Sequence, residues 1–202
     1  MLRLFIRFFS LAIVKWPCKS LHGHFVLNLD DKNNYVNPHS DDFIALSRNK
    51  IKFPLFLFSK LPSAFFSGVR VSEIDQQHSI VTVPYKWFSQ NPFHSTYFAC
   101  QAMAAEMSSA LLALVNTYKR YPAVSMLVTK VEGEFFKKAV GITSFVCNEG
   151  ILVSEAIESA INNNEVSTIR VKATGTNGKG ELISVFYITW SFKARVIEPR
   201  SF

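Results

Sequence analysis

Between Phe93 and Thr117 the chain reads FHSTYFACQAMAAEMSSALLALVNT, with no Lys, Arg or Asp and a single carboxylate, Glu106. The residues are strong helix formers, and many are small: Ala99, Ala102, Ala104, Ala105, Ala110 and Ala113. A helix this apolar on all sides has to be covered by the rest of its domain. A carboxylate inside it loses water on folding, and its pKa rises toward the range useful for proton transfer. Two readings of Glu106 stay open at this level. It is an acid–base group, or it is a structural carboxylate that snorkels at a helix edge or meets a basic partner.

The remaining composition can supply that cover. The 202 residues fit one domain with an appendage, and 49% hydrophobic content with 19 Phe is ample for a core. Net charge is +7, of which residues 1–42 contribute +1 and the rest +6. The excess is scattered, with no run of like charge. This argues against a nucleic-acid arm and suits an anionic small ligand such as a phosphorylated cofactor tail. Three widely spaced cysteines, Cys18, Cys100 and Cys147, make no disulfide framework and point to a reducing, cytoplasmic location. Cys18, His22 and His24 lack a second cluster at metal-binding spacing, so no metal site is expected.

The N-terminal MLRLFIRFFSLAIVKW has a basic start and an apolar run interrupted by Arg7. It has no clean cleavage site and is too short to span a bilayer. A weak signal, a membrane-surface helix and a dispensable tail all compete as readings. The polar stretch LNLDDKNNYVNPHSDD that follows reads as a linker. Residues 1–42 are therefore assigned to a poorly structured tail, and residues 43–198 to the folded domain.

Within residues 43–61, Ile51, Leu55 and Phe58 fall at helical spacing, predicting a short helix that starts or kinks at Pro54. LPSAFFSG reads as a loop. GVRVSEID and SIVTVPY alternate as a hairpin. Asn91-Pro92 marks a turn, Ser95 or Thr96 is placed to cap the long helix, and Pro122 stops it. Beyond it the period changes from 3.6 to 2. SMLVTKVEGEFFK, AVGITSFVCN, STIRVKATGT and ELISVFYITWSFKAR read as strands, with SEAIESAINNN a short helix between the second and third. Asn177-Gly178 turns between the last two. The fold class is α+β: a curved antiparallel sheet wrapped around one long buried helix, with a short N-terminal helix.

Several chemistries fail on spacing. Gly175-Thr176-Asn177-Gly178-Lys179-Gly180 joins strand to strand and lacks the phosphate-loop pattern. No Gly-x-Ser-x-Gly elbow occurs. His94 is a catalytic group or merely a residue at the helix start.

Asn91-Pro92-Phe93-His94-Ser95-Thr96-Tyr97-Phe98-Ala99, continuing to Ala104-Ala105-Glu106, resembles the hotdog fold of acyl-CoA thioesterases. The likeness is closest to an uncharacterised family grouped with relatives that hydrolyse phenylacetyl-CoA-type substrates. Ser125-Met126-Leu127-Val128 and Thr189-Trp190-Ser191-Phe192-Lys193 add to it, and it covers roughly residues 50–195. Such enzymes often carry an Asn, six residues later His-Gly-Gly at the helix start, and an acidic residue nine residues after the His. Asn91, Tyr97 and Glu106 stand at that spacing, with Tyr97-Phe98-Ala99 in place of His-Gly-Gly.

The resemblance implies a thioesterase acting on an acyl-CoA or aryl-CoA, with no cofactor beyond the coenzyme A of its substrate. Glu106 would be the general base or nucleophile and Asn91 its polar companion. Tyr97, Phe98 and Ala99 would bind the substrate, with backbone amides near Phe98 and Ala99 as oxyanion donors. It also implies a homodimer or dimer of dimers, in which Glu106 acts from the partner subunit. Loss of the two glycines supports an alternative: a dimer that binds acyl groups or acyl-CoA without cleaving them. A hydratase using His94 is the third reading.

Overall fold

The computed structural model describes residues 37–195. The readings of the N-terminal apolar run and of Cys18, His22 and His24 fall outside them. The first element among the described residues, α1 (Ser40–Arg48), begins inside the stretch assigned to the tail. Just before it, buried Asn37 donates from Nδ2 to the carbonyls of Val115 and Tyr118, 2.9 Å each. One side chain thereby satisfies carbonyls that a helix C-terminus leaves without intrahelical donors.

The segment that follows holds two helices where one loop was expected after one helix. They are α2 (Lys52–Lys60) and α3 (Pro62–Ser67). Pro62 starts α3, a position where its missing N–H costs nothing. Gly68 ends it at φ +82°, a left-handed conformation that favours glycine. Pro54 lies in the first turn of α2 and is accommodated there without a break. The apolar face of α2 is also not the one expected. Phe53 and Leu57 are buried, whereas Ile51, Leu55 and Phe58 are 72%, 52% and 46% exposed.

The hairpin forms as β1 (Arg70–Ile74) and β2 (Ser79–Pro84), and a 3-10 turn (Trp87–Ser89) leads to the long helix α4 (Phe98–Thr117). Then come β3 (Val124–Phe135), β4 (Ile142–Cys147), α5 (Gly150–Asn162), β5 (Ser167–Asn177) and β6 (Leu182–Ala194). The six strands form one antiparallel sheet in the order β1-β2-β4-β5-β6-β3. Alternation on the strands aims Val81, Val83, Phe145, Val171, Ala173, Ile188, Trp190 and Phe192 into the core. There they meet Ala104, Ala105, Leu111, Leu112 and Ala113 of α4.

The small residues of α4 let the sheet approach its backbone. Ser79 on β2 donates to the Ser108 carbonyl, and the Trp190 indole on β6 donates to Ser109 Oγ at 2.9 Å. Among the described residues α4 alone is long and apolar enough to cross a bilayer, and most of that length is buried in the protein. The expectation of a curved sheet around one apolar helix holds, and so does the strand order along the chain.

Helix α5 is held at both of its ends. Gly150 starts α5 against the β1–β2 turn, where a Cβ would lie 2.2 Å from the Gln76 carbonyl oxygen. Arg120, just past α4, pairs with Glu158 of α5 at 2.5 and 2.7 Å, and both side chains are mostly buried.

Candidate active site

The chain reaches α4 through a loop built around Asn91. Asn91 Oδ1 accepts from the amides of Phe93 and Ser95, 2.9 and 3.3 Å, and from the Ser95 hydroxyl at 3.2 Å. His94 takes φ +59° to complete the turn. Thr96 then bridges to Gln90, and its amide and hydroxyl both donate to the Ala139 carbonyl. The expected caps are therefore engaged elsewhere. Ser95 and Thr96 brace the loop, and the helix starts after Tyr97 with no side-chain cap.

This leaves the first turn of α4 with two unpaired donors. The Tyr97 amide donates to Ser89, and those of Cys100 and Gln101 reach back to the Tyr97 carbonyl. The amides of Phe98 and Ala99 have no acceptor among the described residues. They are the two donors expected to serve an oxyanion, and they stand at the positive end of the helix dipole.

A groove of about 750 Å³ opens at this point. Asn91, Tyr97 and Phe98 line it together, with Phe135 and Phe136 at the end of β3 supplying an apolar wall. Lys137 and Lys138 add positive charge. Lys137 pairs with Glu181 at 2.8 Å, and Lys138 donates to the Phe93 carbonyl at 3.2 Å. The volume is that of a small-molecule site. His94 is exposed and is not among the residues that line the groove.

Buried Gln101 also lines the groove and was not singled out in the sequence. Its Nε2 donates to the Thr96 carbonyl at 3.1 Å, and its Oε1 accepts from the buried Ser184 hydroxyl at 2.9 Å. The available signal was a polar amide one turn inside an apolar helix. The 135–138 segment gave none, because only the tertiary fold brings the end of β3 to the helix start.

Ala99, expected among the binding residues, does not line this groove, and neither does Glu106. It lies seven residues, two turns, beyond Ala99 on the same helix face, about 10 Å along the axis. Ala99, Ala102, Met103, Glu106 and Ala110 form a half-buried stripe along α4, whose other residues from Cys100 to Ala113 are buried. The Glu106 carboxylate has no ion pair or hydrogen bond among the described residues. Burial alone pushes its pKa up to about 7. Of the structural readings, a basic partner for it is not found among the described residues. No group of three or more potential metal ligands stands together among the described residues.

No family model matches the chain, and no curated protein matches it in sequence. Solved structures do. A protein of unknown function from Pseudomonas aeruginosa, titled a probable thioesterase, superposes with a TM-score of 0.60 at 15% identity, covering 77% of this chain and 96% of that one. A protein of unknown function from Chlorobaculum tepidum gives 0.61 at 14% identity over 77% and 94%. A thioesterase from Haemophilus influenzae gives 0.52 at 12% identity over 73% and 92%. At these identities the likeness is one of architecture. The described chain therefore has the hotdog fold, the antiparallel sheet around a central helix that it shares with these thioesterase-like proteins.

Proposed function

We propose that the protein hydrolyses an acyl-CoA or aryl-CoA thioester as a homodimer or dimer of dimers, with Glu106 as its general base. The observation that carries this reading is the pairing of two features on one helix. Two unsatisfied amides stand at the helix start, where Phe98 lines an apolar groove, and an unpartnered carboxylate with a pKa near 7 lies two turns away. A second subunit would bring its own Glu106 toward the groove that the first subunit's Glu106 does not reach. The half-buried stripe on α4 supports such a contact, as does β3, a twelve-residue strand paired on one side only.

In this mechanism Glu106 of the partner subunit takes a proton from water, and the water oxygen adds to the thioester carbonyl carbon. The Phe98 and Ala99 amides hold the developing oxyanion. Collapse breaks the C–S bond, and the thiolate takes the proton from Glu106. A carboxylate that attacks directly as a nucleophile is the variant of this step. Asn91 Oδ1 is committed to the loop, so its amide nitrogen is the atom left to orient water or the acyl group. Phe135 and Phe136 would hold the acyl or aryl chain, and Lys137 and Lys138 the phosphates of coenzyme A.

A second reading is a dimer that binds acyl-CoA without cleaving it. It is favoured by Phe98, which is large and exposed, and by Ala99, the two residues standing where the resemblance expects glycines. Thiol release from short, long and aryl acyl-CoA substrates, compared between the native protein and Glu106→Gln, separates the two. A fall of about a hundredfold or more in the variant supports the hydrolase. Binding without turnover by either protein supports the binder, and equal turnover makes Glu106 structural.

A further inference from the structure

The Ile51, Leu55, Phe58 stripe of α2 carries the spacing of a core-facing helix and faces solvent instead. It does not end at the helix. Phe58 packs on Phe65 and Phe66 at 5.3 and 6.0 Å between ring centroids, Phe66 stacks on Phe88 at 5.4 Å, and Phe88 meets Trp87 at 4.8 Å. Phe66, Phe88 and Trp87 are 43%, 56% and 76% exposed. A continuous aromatic surface of this kind marks an interaction site.

Charge decides what it meets. The segments that build the surface hold no acidic residue from Phe43 to Ser72, nor from Gln76 to Ala105. They do hold Lys50, Lys52, Lys60, Arg70 and Lys86. Two of these cations are set among the rings and their helix. The Arg70 guanidinium lies 5.1 Å from the centroid of Phe65, and Lys86 Nζ lies 2.6 Å from where a Cβ on Gly68 would stand. None of the five is ion-paired among the described residues.

A second copy of the chain would set these cations against their like. The apolar stretch at residues 1–29 has only basic charges, Arg3, Arg7, Lys15 and Lys19, and would do the same. Exposed Trp and Phe rimmed by unpaired Lys suit the headgroup layer of an anionic bilayer. We propose that the α2–α3 face, with Trp87 and Phe88, docks the protein reversibly onto anionic membrane surfaces. The turn bearing Trp87 and Phe88 runs directly into Gln90 and Asn91 of the groove, so docking and site share one loop.

Co-sedimentation of the full-length protein with vesicles tests this, using phosphatidylcholine alone or with about a third phosphatidylserine. Expected is partition onto the anionic vesicles only, reduced at least about tenfold by Trp87→Ser with Phe88→Ser. Lys52→Glu with Lys60→Glu, two fully solvated changes, is expected to give a similar loss without touching the rings. Equal partition onto both vesicle types, no partition onto either, or native-like partition by both variants overturns the proposal. The last outcome would assign the binding to residues outside this face.

Discussion

Ser184 on β6 donates its hydroxyl hydrogen to Gln101 Oε1 on α4 at 2.9 Å, with both residues buried beside the groove. The same Gln101 holds the Thr96 carbonyl through Nε2. One amide thus fixes the helix start to the sheet on one side and to the loop on the other. Gln101→Leu strands two buried polar groups and should cost about 1–3 kcal/mol. Chemical denaturation would measure it. Ser184→Ala, which removes one contact, should cost less.

Glu106 links stability to pH with a known sign. Its folded pKa of about 7 lies above its ordinary value of 4.5. Below the lower value the carboxyl is neutral in both states and nothing is lost. Between 4.5 and about 7 the unfolded carboxyl ionises while the folded one stays protonated, so stability falls by up to about 3 kcal/mol across this window and stays lower above it. Glu106→Gln should therefore raise the melting temperature at pH 8 and change it little at pH 4. An equal shift at both values would show that the carboxylate is already solvated or paired.

The same carboxylate sets the expected rate profile. A general base must be ionised, so thioester hydrolysis should rise with pH and level off above about 7. A profile flat from pH 5 to 9 would remove Glu106 from the proton-transfer step.

The Phe98 amide can be deleted without disturbing the helix. Phe98 is the first helical residue, and Tyr97 before it has φ −57° and ψ 135°, the backbone that precedes proline. Phe98→Pro removes the N–H and the ring, while Phe98→Ala removes the ring alone. If the amide stabilises an oxyanion, kcat of the Pro variant should fall about a hundredfold or more below that of the Ala variant. Melting temperatures within a few degrees of each other would place the loss in the chemistry.

At the far end of the domain, Glu158→Ala leaves the Arg120 guanidinium mostly buried without its partner. A cost of about 3 kcal/mol is expected, read from the denaturation midpoint.

The helix at the centre of this protein was legible in the sequence. An uncharged, alanine-rich run has to be enclosed, and strands of period 2 after it supply the enclosure. Glu106 was legible for the same reason: one carboxylate in such a run has to lose water wherever the helix sits. Asn91, Tyr97 and Phe98 were singled out by the resemblance, and all three line one groove. The helix cap was not legible, because Ser95 and Thr96 suit a cap chemically but Asn91 and Ala139 hold them in the loop. Periodicity also failed to say which face of α2 is inside. Phe53 and Leu57 repeat as regularly as Ile51, Leu55 and Phe58, and only the tertiary packing around α2 chose between them. The far wall of the groove is a tertiary product. Gln101, Ser184 and Lys138 are far apart in the chain and become neighbours only when β3 and β6 close against α4. Local patterning determines which residues must leave water; the topology of the sheet determines which of them meet.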